Sequence, residues 1–346
     1  LRIRFMSFNV EVKNSGERFV CDPDKSILQS ALDAGIALPF SCRSGMCMTC
    51  KGRIVEGEVS YGGAHEKYLT LEDRANGYAL LCCAKPLSDI AIDVPKASAQ
   101  IPIQKYPVRV LQLKHLSSDV IALTLGMPPN QPVHFRPGQF VDFLLDGGVR
   151  RSYSIATAPK AQGVRQLDFH IRHLPGGKFT DKLFNGIKVR DMLQIEAPLG
   201  SFYLREENEL SMIMLASGTG FAPIKSILTT LAERKSAREI VLYWGGRRKD
   251  DLYDVESIEE LKKDLPNLKF IPVLSDSSAA DDWQGRTGFV HKAVMQDHPD
   301  MSKHQVYACG VPVMVESART DFTALCSLNS ENFYADSFIT EAEKSN

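Results

Sequence analysis

Cys42, Cys47 and Cys50 lie within one ten-residue run, SCRSGMCMTC, and 31 residues separate the last of them from Cys82 in ALLCCAKP. A loop that short must fold around whatever its three thiols share. Gly45 permits φ > 0 there, and the loop's backbone N–H groups can point at sulfur. The spacing is that of thiolates holding a two-iron, two-sulfur centre. Structural zinc and packed free thiols are the competing readings. Zinc sites usually pair two short C-x-x-C knuckles, whereas here three cysteines share one loop and the fourth stands alone. Cys83 adjoins Cys82 and competes for the fourth ligand position; the LLC register favours Cys82. Such a centre carries one electron at a time, which constrains the chemistry of everything attached to it.

At 346 residues the chain exceeds one ordinary core and suits two or three domains. A formal net charge of −1 supplies no field toward nucleic acid or a membrane surface. No run of about 18 apolar residues exists to span a bilayer. The opening LRIRFMSFNVEV alternates like a strand and has no signal-peptide core. It lacks an initiator methionine, so a few leading residues are expected to be missing. The cysteines crowd into the loop and the adjacent pair Cys82–Cys83, an awkward layout for a disulfide framework. A reducing cytoplasm is therefore the expected compartment, with Cys21 and Cys326 as packed thiols.

Three segments follow from the patterning. In residues 1–96, FMSFNVEV and GERFVCD read as a hairpin around Asn14-Ser15-Gly16. Asp24 or Ser26 caps a short helix ended by Gly35, KGRIVEGEVS reads as strands around a glycine turn, and DIAIDVP reads as a last strand stopped by Pro95. PKASAQIPIQKYP reads as a linker. Residues 104–206 carry six strand candidates, PVRVLQLKHL, VIALTLGM, QFVDFLLD, RRSYSIA, QLDFHIRHL and DMLQIEAP, which suggest a small antiparallel β-barrel. Residues 207–346 switch to alternating strand and helix, the pattern of an α/β doubly wound sheet. In the first of those helices Ile224, Ile227, Leu228 and Leu231 form a core-facing stripe.

LASGTGFAP places Gly218-Thr219-Gly220 between a strand and a helix, where backbone amides can meet a pyrophosphate. Pro223 suits the first helical turn. YWGGRRKDDLYD and YACGVPVMV sit at strand C-terminal ends, where open α/β sheets bind ligands. After the next strand come Ser275 and Asp276. An acidic residue accepts the free ribose diol of NADH and repels the 2′-phosphate of NADPH, so NADH is favoured; Arg247 and Arg248 keep NADPH open.

SCRSGMCMTC…LLC resembles a plant-type ferredoxin domain, which implies an α+β β-grasp fold and ligation by Cys42, Cys47, Cys50 and Cys82. Such domains often carry Gly where this chain has Met48, and a side chain there is expected to crowd the loop. RSYSIA with PGGKFT resembles the flavin-binding signature of the ferredoxin–NADP reductase superfamily. By that resemblance Arg151 offers its fork of donors to phosphate, with Arg150 as a rival. Gly176 and Gly177 present amides to it, and Lys178, Phe179 and Thr180 complete the cradle. Tyr153 packs on the isoalloxazine, Ser154 hydrogen-bonds the ring nitrogen that receives hydride, and Arg172 touches the cofactor. His170 and His173 are expected to be structural or solvated rather than metal ligands. The superfamily and domain order favour FAD over FMN. G-x-G-x-x-P is the superfamily's nucleotide turn. Cys309, Gly310 and Pro312 then border the nicotinamide, with Cys309 orienting it rather than attacking as a nucleophile. Phe338 covers the flavin, and Asp336 assists charge development.

This order of domains is similar to that of the reductase components of ring-hydroxylating dioxygenases and soluble monooxygenases, and to that of CDP-6-deoxyglucoseen reductases. The resemblance implies hydride from NADH to FAD and single electrons through the 2Fe-2S cluster to a terminal oxygenase, hydroxylase or other acceptor protein. The alternatives are a diaphorase or oxidase that reduces a small molecule directly, and a non-catalytic electron-carrier module.

Overall fold

The computed structural model describes residues 7–94 and 101–338. Contacts divide these into two units, one of the residues up to Pro102 and one spanning Ile103–Phe338. The first six residues of the expected opening strand lie outside the described residues. So do 95–100, with the Pro95 strand stop, the first six residues of the expected linker and the boundary at 96.

In the first unit β1 (Phe8–Val12) and β2 (Arg18–Cys21) form the expected hairpin, with Gly16 at φ 73° in its turn. Helix α1 (Ile27–Asp33) is capped by Ser26 rather than Asp24; the Ser26 hydroxyl accepts from the Gln29 amide at 3.2 Å. Next come β3 (Lys51–Glu56), β4 (Val59–Ser60), α2 (Leu71–Ala75), β5 (Tyr78–Leu80), β6 (Lys85–Pro86) and β7 (Ile90–Asp93). The main sheet has the order β2-β1-β7-β3-β5, with β1 and β7 parallel. The two strands flanking Gly57 do not pair with each other, as a hairpin would. β3 joins β5 and β7, while β4 joins β6. A Cβ on Gly57 would meet the Asp89 carbonyl at 2.2 Å, so the chain is redirected there across the β7 approach. Helix α2, absent from the sequence reading, is too short for a periodic pattern. Thr70 and Asp73 start it with a reciprocal capping box.

In the second unit all six strand candidates form: β8 (Gln104–His115), β9 (Val120–Gly126), β10 (Phe140–Leu144), β11 (Arg150–Ser154), β12 (Gln166–Arg172) and β13 (Met192–Leu199), with α3 (Thr180–Asn185) after β12. Their sheet order is β11-β10-β13-β8-β9-β12 and every pairing is antiparallel. Gln104–Pro107, expected as linker, belong to β8. They pair with β13 alone, β9 joining only from Arg109, so Pro107 sits where its missing N–H breaks no ladder on the far side.

The remainder is β14 (Ser211–Ser217), α4 (Phe221–Glu233), β15 (Ile240–Gly246), α5 (Val255–Asp264), β16 (Leu268–Leu274), β17 (Arg286–Thr287), α6 (Val290–Asp297), β18 (His304–Gly310), α7 (Pro312–Leu325) and β19 (Phe333–Ser337). These strands form one parallel sheet ordered β17-β16-β15-β14-β18-β19. Alternate residues of β14 serve opposite faces. Met212 and Met214 join the α4 stripe, where Ile224, Ile227, Leu228 and Leu231 are all buried. Ile213 and Leu215 join α6 and α7 through Val294 and Phe322. Each such aliphatic side chain contributes about 1.5–3 kcal/mol by leaving water.

Buried polar contacts tie the antiparallel sheet to the parallel one. Ser226 donates to the Thr157 carbonyl at 2.6 Å. His170 lies 3.2 Å from the Tyr253 hydroxyl and 4.0 Å from Asp254, whose carboxylate also pairs with Lys225 at 2.6 Å. His170 is therefore structural. Burial, helped by the Lys225 charge, lowers its pKa to about 4. Between about pH 4 and 6.5 the unfolded chain binds a proton that native His170 does not, so stability falls as the pH is lowered through that window. Replacing His170 with Gln should remove up to about 1.4 kcal/mol per pH unit from the slope of stability against pH there. Urea midpoints of wild type and variant from pH 7 to 4 check it; identical slopes would mean that His170 titrates normally.

Candidate functional site

The cysteine loop connects α1 to β3, and Cys82 lies in the turn after β5. Register explains their approach. Lys51 pairs with Leu80, so Cys50 and Cys82 flank the same end of the β3–β5 ladder, and the Leu81 amide donates to the Cys50 carbonyl at 3.1 Å. The first amides of α1 fix that turn: Ile27 donates to the Ala84 carbonyl and Leu28 to the Leu81 carbonyl, both at 2.9 Å.

The four thiols fall into two pairs. Cys42 and Cys47 exchange amide-to-sulfur contacts of 3.4 and 3.5 Å, and the Ser44 amide also donates to Cys42 sulfur at 3.4 Å. Contact with the Cys47 thiol, then with Ser44, draws the Cys42 pKa down to about 5, while the same contact and burial push Cys47 well up. Cys82 is pushed up chiefly by contact with Cys50. Two thiol pairs of this kind match the ligand set of a two-iron, two-sulfur centre, whereas structural zinc sites usually pair two C-x-x-C knuckles. The Ser44 and Thr49 hydroxyls are buried, with no partner but the cysteine sulfur beside each. Each lies against a ligand cysteine, Cys42 and Cys47 respectively, so both fit a site that would hold further sulfur acceptors.

The Cys83 sulfur stands 3.7 Å from that of Cys82 and 2.7 Å from where a Cβ on Gly45 would lie. It packs beneath the loop rather than against Cys50. Met48 has φ 59°. Backbone demand is thus the reason glycine suits this position, more than the crowding expected from sequence. A left-handed methionine costs about 1–2 kcal/mol.

On β11 the register sets the flavin-signature residues. Arg150 is bound by Glu196 and by Asp142 at 3.4 Å. Arg151 donates to the Arg150 carbonyl at 2.8 Å. Tyr153 packs 5.5 Å from Phe143 and 5.4 Å from Phe179. Ser154 is 5% exposed, and its hydroxyl has no partner among the described residues. A buried hydroxyl of that kind is costly unless something accepts from it, and a flavin ring nitrogen fits.

The following loop is held together by its own polar groups. Gly177 closes a turn by donating to the Leu174 carbonyl at 2.8 Å, and Gly176 donates to the Asp181 carboxylate at 3.1 Å. The Gly176 amide would reach phosphate only in place of that carboxylate. The Thr180 hydroxyl is held between the Leu174 amide and carbonyl. Phe179, 1% exposed, is a core side chain. Both therefore stabilise the loop with their side chains, while Lys178 is exposed. His173 bonds Asp181 at 2.9 Å, a structural role.

At the C-terminal edge of the parallel sheet two turns press backbone to backbone. A Cβ on Gly220 would meet the Cys309 carbonyl at 2.1 Å, and one on Gly310, at φ 145°, would meet the Ser217 hydroxyl at 2.1 Å. Gly218, at φ 52°, and Thr219 are half-buried in the first turn. Pro223 lies in the first turn of α4, where no intrahelical donor is lost, and Pro312 opens α7. Cys309 is fully buried and burial raises its thiol far above the usual value, so it is protonated and no nucleophile. It pairs in register with Asp336, and the Phe338 amide donates to the Gly310 carbonyl at 2.9 Å. Arg172 pairs with Asp119 at 3.0 Å and Asp251 at 2.6 Å, its Nε and second terminal nitrogen buried without partners. Arg247 is largely exposed. Ser275 and Asp276 donate their amides to the carbonyls of Gly246 and Arg247, and the Asp276 carboxylate binds Arg248 at 3.2 Å. The sequence reading passed over Asp251, Ser44 and Thr49. Asp251 sits in a charged run that looks solvated, and only its i+4 spacing from Arg247 hinted otherwise.

Three family models match the chain: a 2Fe-2S iron-sulfur cluster binding domain over residues 10–87, an oxidoreductase FAD-binding domain over 107–203 and an oxidoreductase NAD-binding domain over 214–320. A CDP-6-deoxy-L-threo-D-glycero-4-hexulose-3-dehydrase reductase of Yersinia pestis is 39% identical over 337 residues, covering 96% of this chain and 99% of the relative. Reductase component 1 of a Comamonas terephthalate 1,2-dioxygenase is 35% identical over 344 residues, covering 97% and 98%. Among solved structures the Amycolatopsis cytochrome P450 reductase GcoB matches with a TM-score of 0.78 at 34% identity, covering 96% of this chain and 98% of that one.

Replacing Cys82 with Ser should abolish most iron binding and the brown colour of the purified protein, whereas Cys83→Ser should retain both. Iron analysis and visible spectra of the two variants check this; the reverse result would transfer the ligand role to Cys83.

Proposed function

We propose, from the premise that the chain belongs to the ferredoxin–NADP reductase superfamily and is an NAD-, FAD- and 2Fe-2S-dependent oxidoreductase, that it delivers single electrons from NADH to a separate acceptor protein. That acceptor is a terminal oxygenase or hydroxylase, or a dehydrase of the kind named for the Yersinia relative. When bound, FAD takes the hydride and the cluster carries electrons one at a time. The observation that carries the reading is the two-by-two pairing of Cys42 with Cys47 and Cys50 with Cys82, in the same chain as the unpartnered Ser154 hydroxyl.

The boundaries proposed are 1–96 for a β-grasp ferredoxin domain, 104–206 for a flavin barrel and 207–346 for a doubly wound nicotinamide domain. Arg151 and the loop from Gly176 to Thr180 bind the flavin phosphates, Tyr153 and Phe338 cover the ring, and Ser154 donates to its reacting edge. Gly218, Thr219 and Gly220 receive the dinucleotide pyrophosphate; Arg172, expected from the sequence at the flavin, turns its unpartnered terminal nitrogen toward this glycine turn and joins them. The protonated Cys309 thiol, with Gly310 and Pro312, orients the nicotinamide and keeps water away, and Asp336 steadies its developing charge. The cytoplasm is the compartment proposed, since the cysteine layout suits a cluster and packed thiols rather than a disulfide framework. Among the described residues no helix is long and apolar enough to cross a membrane.

The nucleotide choice follows from charge. Asp276 occupies Arg248, which also faces Asp281 at 3.4 Å, so a 2′-phosphate there meets two carboxylates, with Arg247 the one largely exposed guanidinium of the turn. Replacing Asp276 with Ser should release Arg248 and raise kcat/KM for NADPH relative to NADH about tenfold; an unchanged ratio would remove Asp276 from specificity. The reading as a whole is tested by adding NADH anaerobically to purified holoprotein and then cytochrome c. Bleaching followed by cytochrome reduction is expected, and absence of bleaching with either nucleotide would overturn it.

A further inference from the structure

Asp251 is a carboxylate with little exposure at the end of the Arg247–Asp251 turn, and its two oxygens are divided between two jobs. Oδ1 accepts from Arg172 at 2.6 Å. Oδ2 accepts from the backbone amides of Arg247 at 2.8 Å and Arg248 at 3.2 Å. Gly246 leaves room for it, since a Cβ there would meet the Asp251 Cβ at 2.8 Å.

What each oxygen holds leads to a different part of the nucleotide site. Asp251 and Asp119 together fix one terminal nitrogen of Arg172, while its Nε and other terminal nitrogen are buried and unpartnered. That free nitrogen lies 3.9 Å from where a Cβ on Gly218 would be, so it faces the glycine turn. On the other side, the Arg247 carbonyl of the turn held by Oδ2 accepts from the Asp276 amide at 3.0 Å. One side chain thus orients a cation at the phosphate end and the backbone that seats Asp276 at the ribose end.

We propose that Asp251 is a positioning residue for dinucleotide binding, joining the Arg172 anion contact to the ribose-reading turn. The inference rests on the proposed NADH site and adds a residue to it. A fixed guanidinium loses less freedom on binding an anion than a mobile one, so Asp251 strengthens binding although its own charge opposes that of the ligand.

The test uses the full chain loaded with FAD and iron–sulfur cluster, as wild type, D251N, D251A and D297N. Asp297 serves as control because it is likewise held by several bonds, to Tyr243 and Arg286, away from the nucleotide edge. NAD+ binding to the oxidised protein is measured by calorimetry, and NADH and NADPH kinetics with ferricyanide as acceptor. D251A is expected to weaken NAD+ binding and raise KM for NADH roughly tenfold, with kcat changed less than about threefold. It should also narrow the preference for NADH over NADPH. D251N, which keeps an acceptor oxygen, should fall between D251A and wild type. D297N should lower the melting temperature without that split. Unchanged NAD+ binding in D251A would overturn the proposal. So would tighter binding in D251N, which would make Asp251 a competitor for Arg172, or the same split in D297N. If wild type itself neither binds NAD+ nor is reduced by NADH, the functional reading falls; if wild type does both and D251A matches it, only this inference falls.

Discussion

Four thiols pressed together inside a protein resist ionisation, because each negative charge raises the cost of the next and burial adds to it. Cys47 and Cys82 have raised pKa values, chiefly through contact with their partner thiols Cys42 and Cys50 and then through burial, while Cys42, supplied with Cys47 and Ser44 donors, is drawn down. A thiol set of this kind binds as thiolates only when cationic metal balances the charge. The surrounding fold serves that demand. The β3–β5 register brings Cys50 to Cys82, α1 anchors the Cys82 turn with its own amides, and buried Ser44 and Thr49 hydroxyls wait beside sulfur.

The second unit answers a different demand, that of bringing two planar rings and two sets of phosphates to one edge. Contact between the Ser217–Gly220 and Cys309–Gly310 turns is so close that side chains are excluded from both glycines. Buried pairs such as His170 with Tyr253, and Arg172 with Asp251, then fix the antiparallel sheet against the parallel one. A buried unpartnered hydroxyl, Ser154, and a buried protonated thiol, Cys309, are left in the same unit.

Features set by local sequence were legible: the cysteine spacing, the six strands of the antiparallel sheet, the α4 stripe and the glycine turns. Features set by distant partners were not. β4 pairs with β6 rather than across Gly57, where the Asp89 carbonyl leaves no space for a Cβ. Pro107 sits inside a strand because one neighbour is missing beside it. Thr180 and Phe179 look like ligand contacts in a signature, yet their side chains close a loop and fill a core. Met48 hides its backbone demand behind an ordinary side chain, and Asp251 acquires its Arg172 partner only when β12 comes alongside.

The account stands on paired electrons entering as hydride and leaving one by one. Its most direct test is an anaerobic NADH titration of the holoprotein, followed by visible absorption and electron paramagnetic resonance. The prediction is an uptake of one electron per chain beyond what the flavin alone holds, with the extra electron appearing as a reduced iron–sulfur signal. Uptake that stops at the capacity of the flavin, with iron bound but silent, would contradict it.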